Sequence, residues 1–216
     1  MIFYKYLQLI VQIRMCATMK YSAGMVSTLF WWRETQLVAQ MYKKGISEKE
    51  IIRQAVEENI FVVKAIDRRK RIGYLAYKRV TALPEKMRDM LAEADFREAK
   101  LLVLFSIMLT ERLFFEYCHE VYYNALVMGT LEITDSATNK FFSDKINESE
   151  KVAKFSVTAI YKLKQTFTKM LFEAGVISSA TKERKIIVPI IGSELKSVCE
   201  KNGMIDYIKI LTGSAA

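Results

Sequence analysis

From Arg33 to Lys44 the chain reads RETQLVAQMYKK, and Leu37, Val38, Met41 and Tyr42 return to one side of an otherwise polar segment. That spacing predicts an amphipathic helix. Gly45-Ile46-Ser47 ends it. Gly suits the left-handed position after a helix, and Ser47 with Glu50 three residues later forms a capping box for the next one. The second helix should run to about Asn59, and a third from about Lys64 to Leu83, where Pro84 closes it. Helix, short glycine-containing turn, helix is the form of a helix-turn-helix unit.

Glu85 to Gly129 is the most apolar part of the chain. Its pattern predicts helices over about Glu85–Ala94, Arg97–Leu109 and Glu111–Met128. Phe105, Leu113, Phe114, Tyr117 and Val121 then fall in a central packing layer. Gly129 breaks the pattern. Leu131–Thr134 is short and β-like, and Asp135-Ser136 offers caps for a helix ending near Lys145. A short helix in NESEKVAKF follows. Ser156 caps a third helix, which Gly175 terminates. Then come VISS, the polar tip TKERK and the β run IIVPII. Three helices followed by a two-strand hairpin with a basic tip is the order of a winged helix. A last helix over Ser193–Asn202 and a short tail to Ala216 complete the chain.

The expected fold is therefore mainly all-α. A helical domain with a helix-turn-helix spans residues 19–129, and a winged-helix-like domain with a short β-hairpin spans 130–216. Residues 1–18 read either as an N-terminal extension ahead of Met19 or as an ordinary first helix packed on the core. Lys5, Gln8, Gln12 and Arg14 interrupt that segment too often for a signal peptide. The run LLVLFSIML (101–109) is followed at once by Glu111, Arg112, Glu116 and Glu120, so it is too short for a membrane span, which needs roughly 20 apolar residues. A cytoplasmic protein with no membrane partner is expected.

Composition narrows the chemistry. Two prolines and eight glycines in 216 residues are too few for an all-β fold. The single histidine, His119, excludes a multi-histidine metal site, and Cys16, Cys118 and Cys199 make no C-x-x-C pair. Cys118 and His119 are adjacent, and neighbours on a helix point about 100° apart, so they form no dyad by themselves. Glu116 and Glu120 lie one turn apart and read as members of ion pairs. No phosphate-binding loop or nucleophile-elbow motif occurs. No catalytic residue, metal, cofactor or small-molecule substrate is expected, and the protein is not expected to be an enzyme.

Charge sharpens the picture. The chain carries a net +9, and two windows hold all of that excess. Residues 61–82 contain seven bases and one acid, and residues 154–188 seven bases and two acids. Each window coincides with the third helix of one predicted unit. In the first, Lys64, Arg68, Arg71, Lys78 and Arg79 fall within an arc of about 100°. In the second, Thr158, Lys162, Gln165 and Lys169 form a narrow polar arc opposite Ile160, Leu163, Phe167, Met170, Leu171 and Ala174, with Tyr161 beside it. Thr and Gln suit base edges or phosphates, and Lys neutralises phosphates. Lys182, Arg184 and Lys185 at the hairpin tip would lie where a wing meets the flanking backbone. These residues are the candidate DNA contacts, and double-stranded DNA is the expected partner. The arginine-rich Asp67–Arg71 run also suits RNA, and a protein adaptor using the same exposed faces is the third reading.

YSAG (21–24), ETQLVAQMYKKGIS (34–47), EEN (57–59), LEITDS (131–136), VAKFS (152–156), LFEAGVI (171–177) and KIIVPII (185–191), in this order and spacing, resemble the BrxA family. This is the small core protein of BREX bacteriophage-exclusion systems. The resemblance covers about Met19 to Asn202. It implies an all-helical protein with helix-turn-helix elements and an N-terminal part similar to the RNA-binding protein NusB. It also implies double-stranded DNA binding without catalysis, and other BREX proteins as partners. It transfers no catalytic residue, and the DNA contacts named above rest on the helical faces alone.

Overall fold

A computed structural model describes residues 19–214; the reading of residues 1–18 falls outside them. The fold is predominantly helical. The described residues divide into two compact units, 30–110, and 111–214 together with 19–29. The boundary expected after Gly129 falls inside the second unit.

The first unit contains α1 (Trp32–Lys43), α2 (Glu48–Glu57), α3 (Ile66–Ala82), α4 (Glu85–Glu93) and α5 (Phe96–Thr110). Its punctuation follows the sequence. Ser47 accepts from the Glu50 amide at 3.3 Å, and Gly45 takes φ 76°. The Glu50 carboxylate is taken by Arg53 and Gln54 rather than turned back to Ser47, and those bonds pull its pKa down to about 2. Helix α5 is buried without interruption from Leu101 to Met108, so it is the core element around which the others pack. Gln36 and Gln40 of α1 donate to the carbonyls of Ala94 and Ala92 at the end of α4, which satisfies backbone acceptors the helix end leaves open.

The first described element of the second unit is a 3₁₀ turn at Gly24–Ser27. It continues through α6 (Arg112–Tyr117), a wide π-helical turn at Cys118–Tyr123, and α7 (Asn124–Val127). Then follow α8 (Asp135–Glu148), α9 (Glu150–Ala153), α10 (Val157–Ala174), α11 (Ser193–Lys201) and α12 (Ile205–Thr212). Thr134, not Asp135 or Ser136, caps α8. Ser156 caps α10 through the Ala159 amide, and Gly175 ends it at φ 82°. The core is aromatic. Phe114, Tyr117 and Phe142 lie 5.2–5.7 Å from Phe167, ring centre to ring centre, and Phe141 stacks edge-on against Tyr117.

Two further expectations change. The tail after residue 202 forms α12, whose Ile208, Ile210 and Leu211 are buried. The two-strand hairpin is reduced to isolated antiparallel bridges: Ile177 pairs with Ile186, and Lys185 pairs with Glu132. The ladder extends only as far as the Ile187 amide, which donates to Val176. Pro189 has no amide to donate two residues later.

Beside the aromatic core lies a cluster of charges. Lys145, its side chain only 7% exposed, meets Glu120 at 2.6 Å, Glu148 at 3.1 Å and Glu116 at 3.4 Å. Glu116 also accepts from Arg112 at 2.8 Å and from the Tyr21 hydroxyl at 2.9 Å. Burial alone would lower Lys145, but the hydrogen bond to Glu120 and the charge of Glu116 hold it above its ordinary value. Burial and Glu116 push the Tyr21 phenol up to about 12. Glu116 and Glu120 are thus structural ion-pair partners. No helix among the described residues is long and apolar enough to cross a membrane.

Candidate nucleic-acid interface

Helix α10 sorts its side chains cleanly. Ile160, Leu163, Phe167, Met170, Leu171 and Ala174 are buried. Thr158, Lys162, Gln165 and Lys169 are all exposed, and their spacing of four, three and four residues stacks them on one outward face. Tyr161 stands 61% exposed beside them and accepts from the Gln165 amide group at 3.0 Å. Lys169 lies 3.7 Å from Glu173, a weak surface pair that leaves its ammonium available to a stronger anion.

This face borders a groove of about 670 Å³. The start of α8 forms one wall with Thr138 and Asn139, α10 another with Tyr161, Lys164 and Gln165, and the 180–184 loop closes it. Lys164 donates to Asn139 at 2.7 Å across it. The helical wheel of α10 places Lys164 off the polar arc, so only the packing of α8 beside α10 reveals its part in this surface.

The hairpin-tip residues separate into two kinds. Lys182 and Lys185 are exposed. Arg184 is only 11% exposed and is turned inward, donating to the carbonyls of Ile133 and Thr181 and to the Asp135 carboxylate at 2.5 Å. Arg184 positions the loop against α8 and presents little of its charge to a ligand.

The first window is less uniform. Lys64 and Arg68 are exposed. Arg71 is exposed but lies over the Trp31 ring at 5.8 Å, and the Lys78 ammonium reaches the Thr110 carbonyl at 3.4 Å. Arg79 corrects the expectation: it is 3% exposed and donates to the Phe30 carbonyl at 2.5 Å. The reason is geometric. Arg79 lies seven residues from Ile72 and three from Ala76, both fully buried, so it shares their stripe and its charge is satisfied internally. Arg69, in the same run, donates to the carbonyls of Val56, Val63 and Lys64.

Burial pushes Cys118 well up and Cys199 to about 12, which keeps both protonated.

A family model, BrxA, matches residues 19–203. The chain belongs to the BrxA family. A BREX protein BrxA from Bacillus cereus (strain H3081.97) is 34% identical over 193 residues, covering 89% of this chain and 96% of that protein. A second BREX protein BrxA, from Escherichia coli O9:H4 (strain HS), is 23% identical over 84% of each chain. The fold is similar to the crystal structure of an uncharacterized protein from Magnetospirillum magneticum. Their TM-score is 0.73 at 18% identity, over 89% of this chain and 98% of that one. BrxA membership places the protein in BREX phage defence. The matched segment ends just before α12 and begins at Met19, in line with the resemblance over 19–202.

Proposed function

We propose that this protein is a non-catalytic, cytoplasmic component of a BREX system that binds double-stranded DNA, with α10 as the principal contact helix. The observation that carries the reading is the outward row Thr158, Lys162, Gln165 and Lys169 on a helix whose opposite side is core. A helix so built can enter a major groove with its polar edge while its apolar edge stays fixed to the unit.

The order of elements supports a winged-helix reading of the second unit. Helices α6 and α7 are followed by the short segment Leu131–Ile133, which Leu131 opens at φ 49°, then α8 to α10, then two segments joined by a basic loop. Lys185 bridges to Glu132, and the next residue, Ile186, bridges to Ile177. The last segment therefore lies between the other two, as in a three-stranded wing sheet. In this reading Lys182 and Lys185 approach the flanking backbone, and Arg184 sets the angle of the wing. Helices α1 to α3 would form a second helix-turn-helix, offering Lys64, Arg68 and Arg71. Other BREX proteins are the proposed protein partners.

A gel-shift titration of a duplex of about 30 base pairs at 50 and 200 mM salt tests this. Binding through six phosphate contacts should weaken about 10³-fold between them. Absence of duplex binding at the lower salt would sink the reading. Equal competition by structured RNA would favour the RNA-binding alternative, although Arg69 of the arginine-rich run is already engaged by three backbone carbonyls.

A further inference from the structure

The loop between α2 and α3 holds left-handed backbone at two residues that are not glycine. Asn59 and Val62 both adopt left-handed backbone, each at φ 53°. Asn tolerates this conformation, but a β-branched residue in it is strained. The loop is nevertheless tightly determined. The Asn59 carbonyl accepts from the Val62 amide and its side chain from the Val63 amide, both at 2.8 Å. Arg69 clamps the rest from below, donating to Val56, Val63 and Lys64 carbonyls at 3.0, 2.5 and 3.2 Å. The product of this bracing is an apolar tip held in water. Val62 is 88% exposed, and Ile66, which opens α3, is 58% exposed. Exposed Lys64 and Arg68 follow the tip, with Asp67 the one acid in the 61–82 window, and exposed Glu57 and Glu58, paired with Arg53, precede it.

Strain held in place by surrounding structure, with an apolar side chain at its apex, marks a surface built for contact. Two candidate occupants differ in size and charge. A stable protein interface needs about 800 Å² from each partner, and two aliphatic side chains supply a small fraction of that. A wedge between stacked base pairs needs only one apolar side chain, with cations beside it for the phosphates. On the α3 side of Val62, Lys64 and Arg68 supply such cations, and on the α2 side Arg53 takes up the carboxylates of Glu57 and Glu58.

We propose that the Val62 loop is a wedge that enters duplex DNA from the minor groove and opens a base step, bending the duplex. The proposal rests on the DNA-binding reading above and adds a distinct consequence to it. The carbonyl clamp by Arg69 keeps the tip rigid, so the wedge does not fold back when it meets the stacked bases. Lys64 and Arg68, both on the α3 side of the tip, hold the backbone beside the opened step.

The test uses the full chain and a duplex labelled at both ends for energy transfer, with a flexible TA step at its centre. The wild-type protein should shorten the end-to-end distance by an amount corresponding to a bend of about 20–90°. Val62→Gly suits the left-handed backbone, so it folds, with a melting temperature no lower than the parent's. It should lose more than half of the bend while the salt dependence of binding stays the same, because no charge is removed. Val62→Leu, which keeps an apolar tip, should retain the bend. Binding to a straight duplex, or an equal bend with Val62→Gly, overturns the wedge and leaves the DNA-binding reading standing. No duplex binding by the wild type overturns both.

Discussion

Replacing Lys145 by Met removes a charge but keeps most of the volume. Four groups meet it: Glu120 at 2.6 Å, Glu148 at 3.1 Å, Glu116 at 3.4 Å, and the Phe141 ring at 5.6 Å. Breaking a fully buried ion pair costs about 3–5 kcal/mol, because the remaining charge is left unpaired. Here the cost is smaller. Glu116 keeps Arg112 and Tyr21, and the Glu120 and Glu148 side chains are 37% and 58% exposed, so water recovers part of their solvation. The expected loss is about 2–3 kcal/mol, most of it from Glu116 and Glu120. For a chain of this size that lowers Tm by roughly 4–12 °C. Thermal unfolding followed by circular dichroism reads it. Adding Glu120→Gln to Lys145→Met should recover about 1 kcal/mol, since it removes one of the stranded charges. An unchanged or higher Tm for Lys145→Met alone would refute the claim that this cluster holds α6, the π turn and α8 together.

Two further predictions bear on particular residues. Arg79→Leu should cost about 2 kcal/mol by leaving the Phe30 carbonyl without its donor, yet leave duplex affinity of the folded protein within about twofold; a large selective loss of affinity would return Arg79 to the interface. Burial pushes His119 below its ordinary value, against the opposing charges of Asp206 and Glu116 and together with Lys145. The unfolded chain therefore binds this proton more readily than the folded one. Stability should fall as pH drops below about 6.5, the ordinary imidazole value, and flatten once the folded-state histidine is itself protonated. His119→Gln should remove that component, as denaturant titrations across pH 5–8 will show.

Much of the helical order is legible in local signals because single residues decide it. Ser47, Ser156, Gly45 and Gly175 each do at a helix end what their chemistry predicts. The outward face of α10 is legible for the same reason: one strong apolar arc leaves one direction for the rest. What is not legible depends on neighbours distant in sequence. Arg79 sits in a basic window, but its carbonyl partner lies 49 residues away. Arg184 looks like a wing-tip contact until Asp135, also 49 residues away, draws it inward. Helix α12 follows α11 after only a three-residue gap that contains Gly203, and it is rich in isoleucine, which reads locally as a tail or a strand; burial of Ile208, Ile210 and Leu211 stabilises it as a helix. The strained Val62 loop gives no local signal, since a β-branched residue such as Val is not expected in left-handed backbone.

The exposed row on α10 carries the account, and Lys162→Glu with Lys169→Glu tests it most directly. Duplex affinity is titrated over a series of salt concentrations for the wild type and the double variant, with circular dichroism confirming equal helix content. Both lysines are exposed, so the fold should be preserved. Losing two phosphate contacts should reduce the slope of log affinity against log salt by about 2, and affinity at low salt should fall at least about 100-fold. A double variant that binds duplex with wild-type affinity and wild-type salt dependence would contradict the assignment of α10 as the DNA-contacting helix.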